Sequence, residues 1–187
     1  MKYWIMSDPH LGHDKIIEFC KRPTDFETKI IKSLKCIVPD DVFICLGDVA
    51  WRRELYWHKV LRMAIPCKMW LVRGNHDTRS DSWYLSAGWD FVGEFITLNR
   101  FGKNILLSHI PQKDNGYDLN IHGHFHNLDR PWFHPEVWDS RNNKQELIKI
   151  EHTYSLVRLR TIVENFNKRS SYENEKNPRL FPEYETA

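Results

Sequence analysis

The sequence predicts an α/β fold containing a mixed sheet, and two observations predict it. Up to Asp77 the apolar pattern alternates strand, helix, strand, helix, strand, the order that generates parallel βαβ units. Beyond Asp77 short strands dominate, so a mixed sheet, or two sheets packed together, fits better than a purely parallel one. A third observation concerns function: nearly every strand is followed at once by oxygen or imidazole side chains.

The elements follow in order. Tyr3-Trp4-Ile5-Met6 is a strand because its residues are aromatic, β-branched or aliphatic. His13 to Cys20 and Thr24 to Ile37 read as helices, the second with Thr24 as cap and Glu27 three residues on. Pro39-Asp40-Asp41 breaks that helix and launches the strand Val42-Phe43-Ile44-Cys45-Leu46. Arg53 to Ala64 carries Leu55, Val60, Leu61 and Ala64 at helical spacing, and Pro66 stops it before the strand Lys68-Met69-Trp70-Leu71-Val72. Phe91 to Asn99 and Lys103 to Ser108 predict a hairpin around Arg100-Phe101-Gly102, leaving room between Asp77 and His109 for only a short helix besides. Leu119-Asn120-Ile121 is the next strand, and Leu147 to Ile150 adds another. Ser155 to Lys168 places Leu156, Leu159, Ile162, Val163 and Phe166 on one helical face. Asn127 to Asn143 has no period and predicts a long loop. We therefore expect one domain over residues 1–168. A polar tail over 169–187 contains Pro178 and Pro182, and is either frayed or pinned by Leu180 and Phe181.

Composition narrows the function classes. The chain of 187 residues, 41% hydrophobic and 28% charged, suits a globular domain with a sizeable core. A net charge of +2 is too small for a dedicated nucleic-acid binder, so such a contact would need a local patch. No apolar run approaches the length of a bilayer, and no membrane partner is expected. Cys20, Cys36, Cys45 and Cys67 lack Cys-x-x-Cys spacing, and Cys45 lies in an apolar strand. The chain enters a strand at once with no signal peptide, so we expect a cytoplasmic location and no disulfide framework. Among eight tryptophans, Trp51, Trp132 and Trp138 fall in predicted loops, where they either line a cleft or pack those loops on the core.

The polar clusters are Asp8-Pro9-His10, Gly47-Asp48, Gly74-Asn75-His76-Asp77, Ser108-His109 and His122-Gly123-His124-Phe125-His126. Ligands of α/β folds bind at the carboxyl edge of the strands, where the loops converge. One Asp-x-His is compatible with a solvated turn, whereas five clusters at one edge compose a metal site. Carboxylates mixed with imidazoles suit manganese, iron or zinc better than magnesium or calcium. A closed structural zinc site would favour cysteines, which this set lacks. The alternation in His124-Phe125-His126 predicts extended backbone with both imidazoles on one side.

In that order, the five clusters resemble the calcineurin-like metallophosphoesterases, from Met1 to about Asn127. The resemblance implies a four-layer α/β/β/α sandwich of two mixed sheets and a dinuclear centre. It implies that Asp8, His10, Asp48 and His126 hold one metal and that Asp48, Asn75, His109 and His124 hold the other, Asp48 bridging. Two such cations lower the pKa of a bridging water and clamp the phosphate oxygens, so that hydroxide attacks phosphorus. Manganese is the first expectation, with iron and zinc behind it. His76 would act as the catalytic imidazole, protonating the leaving group or stabilising the transition state. Protein phosphatases of the superfamily carry an Asp three residues past Gly-Asp that orients this histidine, and Trp51 stands there instead. Asp77 is read as a turn residue rather than as a replacement partner for His76. His122 is either a support to the ligands or structural, and His13 either approaches phosphate or lies on the surface. His58, His134 and His152 are read as unrelated to the metals. Arg52, Arg53 and Arg79 are read as solvated surface, any one of which could still reach a substrate phosphate.

The expected activity is hydrolysis of a phosphate mono- or diester, the substrate being a small molecule, a nucleotide or a nucleic-acid end. No large insertion interrupts the clusters, so the cleft is expected to be open, and loop aromatics in it could stack a base. The alternative is a catalytically silent binding or scaffold protein with the same fold. Such a protein would be expected to have lost ligands, and this sequence has kept them.

Overall fold

The computed structural model describes residues 1–113, 116–126 and 144–176. The first sheet has at its centre four parallel strands, β1 (Tyr3–Met6), β2 (Val42–Cys45), β3 (Lys68–Val72) and β4 (Phe91–Gly93). A short strand at Val157–Arg158, β9, pairs antiparallel on the free side of β1, so the order is β4-β3-β2-β1-β9. The second sheet contains β5 (Phe95–Arg100), β6 (Lys103–Ser108), β7 (Leu119–His122) and β8 (Gln145–Leu147). There β5 and β6 form an antiparallel hairpin, while β6, β7 and β8 run parallel.

β1 and β2 are continuously apolar because both of their faces are buried. Trp4, Met6, Phe43 and Cys45 face a core shared with α1 (Ile16–Phe19), α2 (Phe26–Ser33), α3 (Glu54–Ala64) and α4 (Asp81–Ser86). Tyr3, Ile5, Val42 and Ile44 face a second core with Ile105, Leu107, Leu119 and Ile121 of the other sheet. The last helix, α5 (Leu159–Lys176), adds Leu159, Ile162, Val163 and Phe166 to that inter-sheet layer. The architecture is that of two mixed sheets with helices, as the sequence predicts. Among the described residues no helix is long and apolar enough to cross a membrane.

Several boundaries differ from expectation. The helix predicted at 13–20 is a single turn, Ile16–Phe19, and that predicted at 24–37 is α2 followed by a 3-10 turn at Leu34–Cys36. Thr24 is not the cap: Asp25 holds that position without a side-chain bond, and Glu27 instead accepts the Gly12 backbone N–H at 2.6 Å. The strand predicted at 91–99 is broken at Glu94, so Phe91–Gly93 extends the first sheet and Phe95–Arg100 begins the second. β8 ends at Leu147, and Ile150 lies in a 3-10 turn, Ile150–His152. On α3 the buried residues are His58 and Leu61, while Leu55 is exposed. α5 starts four residues late, after β9, and continues through the polar stretch to Lys176. The loop 127–143, with Trp132, His134 and Trp138, and the tail beyond Lys176 lie outside the described residues.

Parallel pairing of β1 with β2 does not stop where the strands stop. Asp8 donates its backbone N–H to Gly47, His10 to Asp48 and Leu11 to Val49, at 3.0–3.1 Å, and Leu11 forms a bridge with Ala50. Within this prolonged ladder Asp8, His10 and Asp48 adopt left-handed backbone, with φ of 52°, 48° and 53°. L-residues avoid that region. Three such residues side by side break the pleat and let the side chains of two loops converge.

Candidate metal centre

Each predicted site residue lies just past a strand. Asp8 and His10 follow β1, Asp48 follows β2, Asn75 and His76 follow β3, His109 follows β6, and His124 and His126 follow β7. The sheets thus bring their carboxyl edges together, and all eight residues meet there. Asp8, His10, Asp48 and His109 are buried, whereas Asn75 and His76 are exposed at the mouth.

Among the described residues three groups of donor atoms are preassembled: Asp8, His10 and His126; Asp48, His109 and His124; and Cys20, His126 and Glu151, which shares His126 with the first, with ligand atoms inside each group within 4.8 Å of one another. Asp48 Oδ2 links the first two of these, 3.4 Å from His109 Nε2 of its own group and 3.6 Å from His10 Nε2 of the other. His109 Nε2 is also 3.0 Å from both Asn75 Oδ1 and His124 Nδ1, and His126 Nε2 is 3.8 Å from Asp8 Oδ1. Metal–ligand bonds of about 2.1 Å put neighbouring ligands roughly 3.0–3.4 Å apart. The separations around His109 fall in that range, and those of His10 from Asp48 and His126 from Asp8 exceed it by 0.2–0.4 Å.

The tautomers follow from the partners. His109 Nδ1 lies 2.7 Å from the Leu46 carbonyl, which only accepts, so Nδ1 carries a proton and Nε2 is the nitrogen that faces the centre. His126 Nδ1 lies 2.9 Å from Glu151 Oε1, which fixes the ring in the same sense. Asp8 Oδ1 and both ring nitrogens of His10 are buried without a hydrogen-bond partner among the described residues. Buried polar atoms of this kind are costly unless something pairs with them, and a cation does so. The donor set fits divalent metal.

Electrostatics agree. Burial lowers the His10 imidazole to about 3, keeping it neutral as a metal ligand must be. Burial also opposes protonation of His109 and His126, yet Asp48 and Asp8 lift the first to about 9, and Asp8, Cys20 and Glu151 lift the second to about 10. Burial raises the Asp8 carboxyl; it would raise Asp48 too, but His109, His10 and the His76 backbone N–H bring Asp48 below the usual carboxylate range. The imidazoles hold protons here because the carboxylates demand positive charge. Divalent cations meet the same demand.

One local expectation fails. His124 and His126 are not extended: their φ values are 73° and 48°, and the Phe125 N–H bonds the Gly123 carbonyl at 2.9 Å. β7 ends at His122, and the turn buries Phe125 completely while aiming the flanking imidazoles at different groups. Gly123 is required by space. A Cβ there would sit 1.7 Å from Ser7 Oγ and 2.3 Å from Asp8 Oδ2.

Other residues take roles the sequence does not display. Asp77 does more than form a turn: its carboxylate accepts the backbone N–H groups of Asp48 (2.7 Å), Gly74 (2.8 Å) and Val49 (3.2 Å), tying two ligand loops together. Burial and the neighbouring Asp48 charge raise its carboxyl to about 6. His122 is buried under Phe125, its Nδ1 3.0 Å from the Gly123 carbonyl, in a structural position. His58 accepts from Trp89 Nε1 at 2.8 Å in the helix-side core, away from the centre. Glu151 and Arg22 carried no sequence signal, being far from the ligands along the chain.

The centre opens into a cleft of about 750 Å³ lined by His10, His76, His126, Trp51, His13 and Arg52, among others. Trp51 stacks on His13 at 4.7 Å and meets His76 edge-on at 4.7 Å. His76 is anchored by its backbone N–H to Asp48 Oδ1 (2.9 Å), with Nε2 3.9 Å from Asp48 Oδ2. Of the three arginines, Arg52 borders this cleft, while Arg79 pairs with Glu54 and Arg53 lies over Tyr56.

Comparisons with known proteins agree with this geometry. The chain is similar to the uncharacterized protein MJ1445 of Methanocaldococcus jannaschii, 29% identical over 149 residues, which cover 72% of this chain and 77% of that one. It is similar in structure to the protein of unknown function AQ665 from Aquifex aeolicus, with a TM-score of 0.67 and 26% identity over 88% of this chain and 98% of that one. A family model of calcineurin-like phosphoesterases matches residues 1–181. With its Asp, Asn and His side chains gathered at one sheet edge and its match running almost end to end, the chain belongs to the calcineurin-like phosphoesterase family.

Proposed function

We propose that the protein is a phosphoesterase that uses two divalent cations, manganese first, to hydrolyse a phosphate mono- or diester. The observation that supports this reading is Asp48 Oδ2, 3.4 Å from His109 Nε2 of its own donor group and 3.6 Å from His10 Nε2 of the neighbouring one. Asp8, His10 and His126 would hold one ion and Asn75, His109 and His124 the other, with Asp48 shared. Bound there, divalent cations neutralise phosphoryl charge and acidify water. Asn75 contributes a neutral oxygen, which limits the negative charge facing an anionic substrate.

The chain's own residues do the rest. His76 projects into the cleft beside Asp48, where Nε2 can deliver a proton to the departing oxygen. Trp51 takes the place of an orienting carboxylate, so the ring is held by aromatic edge contact and its backbone anchor. Arg52 offers a cation at the cleft wall for phosphate or a flanking charge. The aromatic wall of Trp51 and His13 favours a substrate with a planar group, as a nucleotide or nucleic-acid end has.

The test is a parallel assay of manganese-loaded protein on an aryl phosphate, a bis-aryl phosphate and a nucleotide panel. Asp48→Asn and His124→Ala should abolish turnover. No turnover by wild type loaded with manganese, iron or zinc would refute the proposal.

A further inference from the structure

We propose that Glu151 and Arg22 are positioning residues that assemble one half of the centre, that of Asp8, His10 and His126, while the other half forms without them. The inference rests on the metal reading above and adds an asymmetry to it.

Arg22 is 3% exposed, and its guanidinium makes four hydrogen bonds and also lies 3.4 Å from His126 Nδ1. Nη1 donates to the Pro9 carbonyl and Nη2 to the Asp8 carbonyl, both at 2.8 Å, so the fork staples the backbone of the loop whose left-handed residues are Asp8 and His10. Nε and Nη2 donate to Glu151 Oε1 at 3.0 and 2.6 Å. The same oxygen accepts from His126 Nδ1 at 2.9 Å, turning Nε2 toward Asp8 Oδ1. One buried ion pair therefore holds Asp8 through its own carbonyl, His10 indirectly through the Pro9 carbonyl of the preceding peptide, and His126 through its ring.

Burying a guanidinium and a carboxylate carries a large desolvation cost, and replacing such a pair by apolar groups is often neutral or favourable for stability. Something other than stability has to account for it here. The contacts supply that reason, since a ligand histidine whose second nitrogen is held by a carboxylate is fixed in tautomer and orientation. The other half has separate supports: the Leu46 carbonyl holds His109, and Asp77 ties the Asp48 loop to Gly74. Among the described residues no hydrogen bond joins Arg22 or Glu151 to Leu46 or Asp77, and the two halves meet instead where the His124 N–H donates to Asp8 Oδ2 at 2.9 Å.

The test is manganese binding to the full chain, read by electron paramagnetic resonance of free Mn(II) and by elemental analysis. Wild type should hold two ions. Glu151→Ala should lose roughly 10–100-fold in affinity at one site and retain the other within about twofold. Glu151→Gln keeps an oxygen for both Arg22 and His126 and should fall between, with a melting temperature close to wild type. His109→Ala should lose the opposite site and leave the Glu151-dependent one. Equal loss of both ions in Glu151→Gln at an unchanged melting temperature, or no loss in either Glu151 variant, would overturn the positioning role alone. No binding by wild type would overturn the metal reading and this inference together.

Discussion

Gly74→Ala isolates a purely steric demand at the centre. The backbone of Gly74 is not left-handed, so alanine can adopt it without strain, and only space opposes the change. Its Cβ would lie 2.1 Å from Asp48 Oδ1 and 2.5 Å from the Asp48 backbone nitrogen, where ordinary contact begins at 3.4 Å. The oxygen can rotate away, but the backbone cannot, and the two loops must separate by roughly 0.9 Å at the atoms facing the new methyl. Asp77 Oδ2 accepts from Gly74 and Asp48 at once, at 2.8 and 2.7 Å, so the separation breaks one of those bonds. Overpacking costs about 1–3 kcal/mol, and a stranded buried N–H about 1–3 kcal/mol more. A loss of about 2–6 kcal/mol should lower the melting temperature of a chain this size by roughly 4–24 °C. Displacing Asp48 should also cut bound metal and turnover. Calorimetry of the metal-free protein reads the first effect and elemental analysis the second. Gly102→Ala is the control: its φ is +72° with nothing within 4 Å, so backbone strain of about 1 kcal/mol should leave the centre intact. A Gly74→Ala protein that melts within about 2 °C of wild type with full metal content would refute the reasoning.

Two further outcomes are expected. Trp51→Ala should raise KM for nucleotidyl diesters about tenfold, the loss of a stacking interaction of about 1–3 kcal/mol, while changing KM for methyl phosphate little; steady-state kinetics on both substrates decides this, and an equal change in both would remove Trp51 from substrate selection. His58 provides a pH signature away from the site: burial lowers it to about 4, and its Nδ1 accepts from Trp89 Nε1 at 2.8 Å. The unfolded chain therefore binds the extra proton between the unfolded value and about 4, and stability is lost as pH falls through that window. Going from pH 7 to pH 5 should cost about 2 kcal/mol through this group, read by urea denaturation, and His58→Gln should remove that share of the slope; an unchanged slope would show the proton is taken up elsewhere.

Much of the site was legible in the sequence because the ligands sit at strand ends, and strands such as Val42–Leu46 announce themselves by β-branched and aromatic content. Local chemistry was enough to mark Asp8, His10, Asp48, Asn75, His109, His124 and His126 as candidates. Glu94, where the chain leaves one sheet for the other, was hidden because a strand that changes sheets keeps the same apolar pattern on both sides of the break. The left-handed turn at His124 and His126 was hidden because its cause, the burial of Phe125 and the contact of Gly123 with Ser7 and Asp8, comes from elsewhere in the chain.

The sequence by itself determined the chemical identity of the centre, an Asp, Asn and His donor set, since side-chain type is fixed residue by residue. Only the tertiary structure decided how those donors divide into two groups about Asp48, which nitrogen each histidine presents, and which buried partners hold them. Those properties depend on carbonyls and carboxylates such as Leu46 and Glu151, which are distant along the chain and come within hydrogen-bond reach only when the sheets have packed.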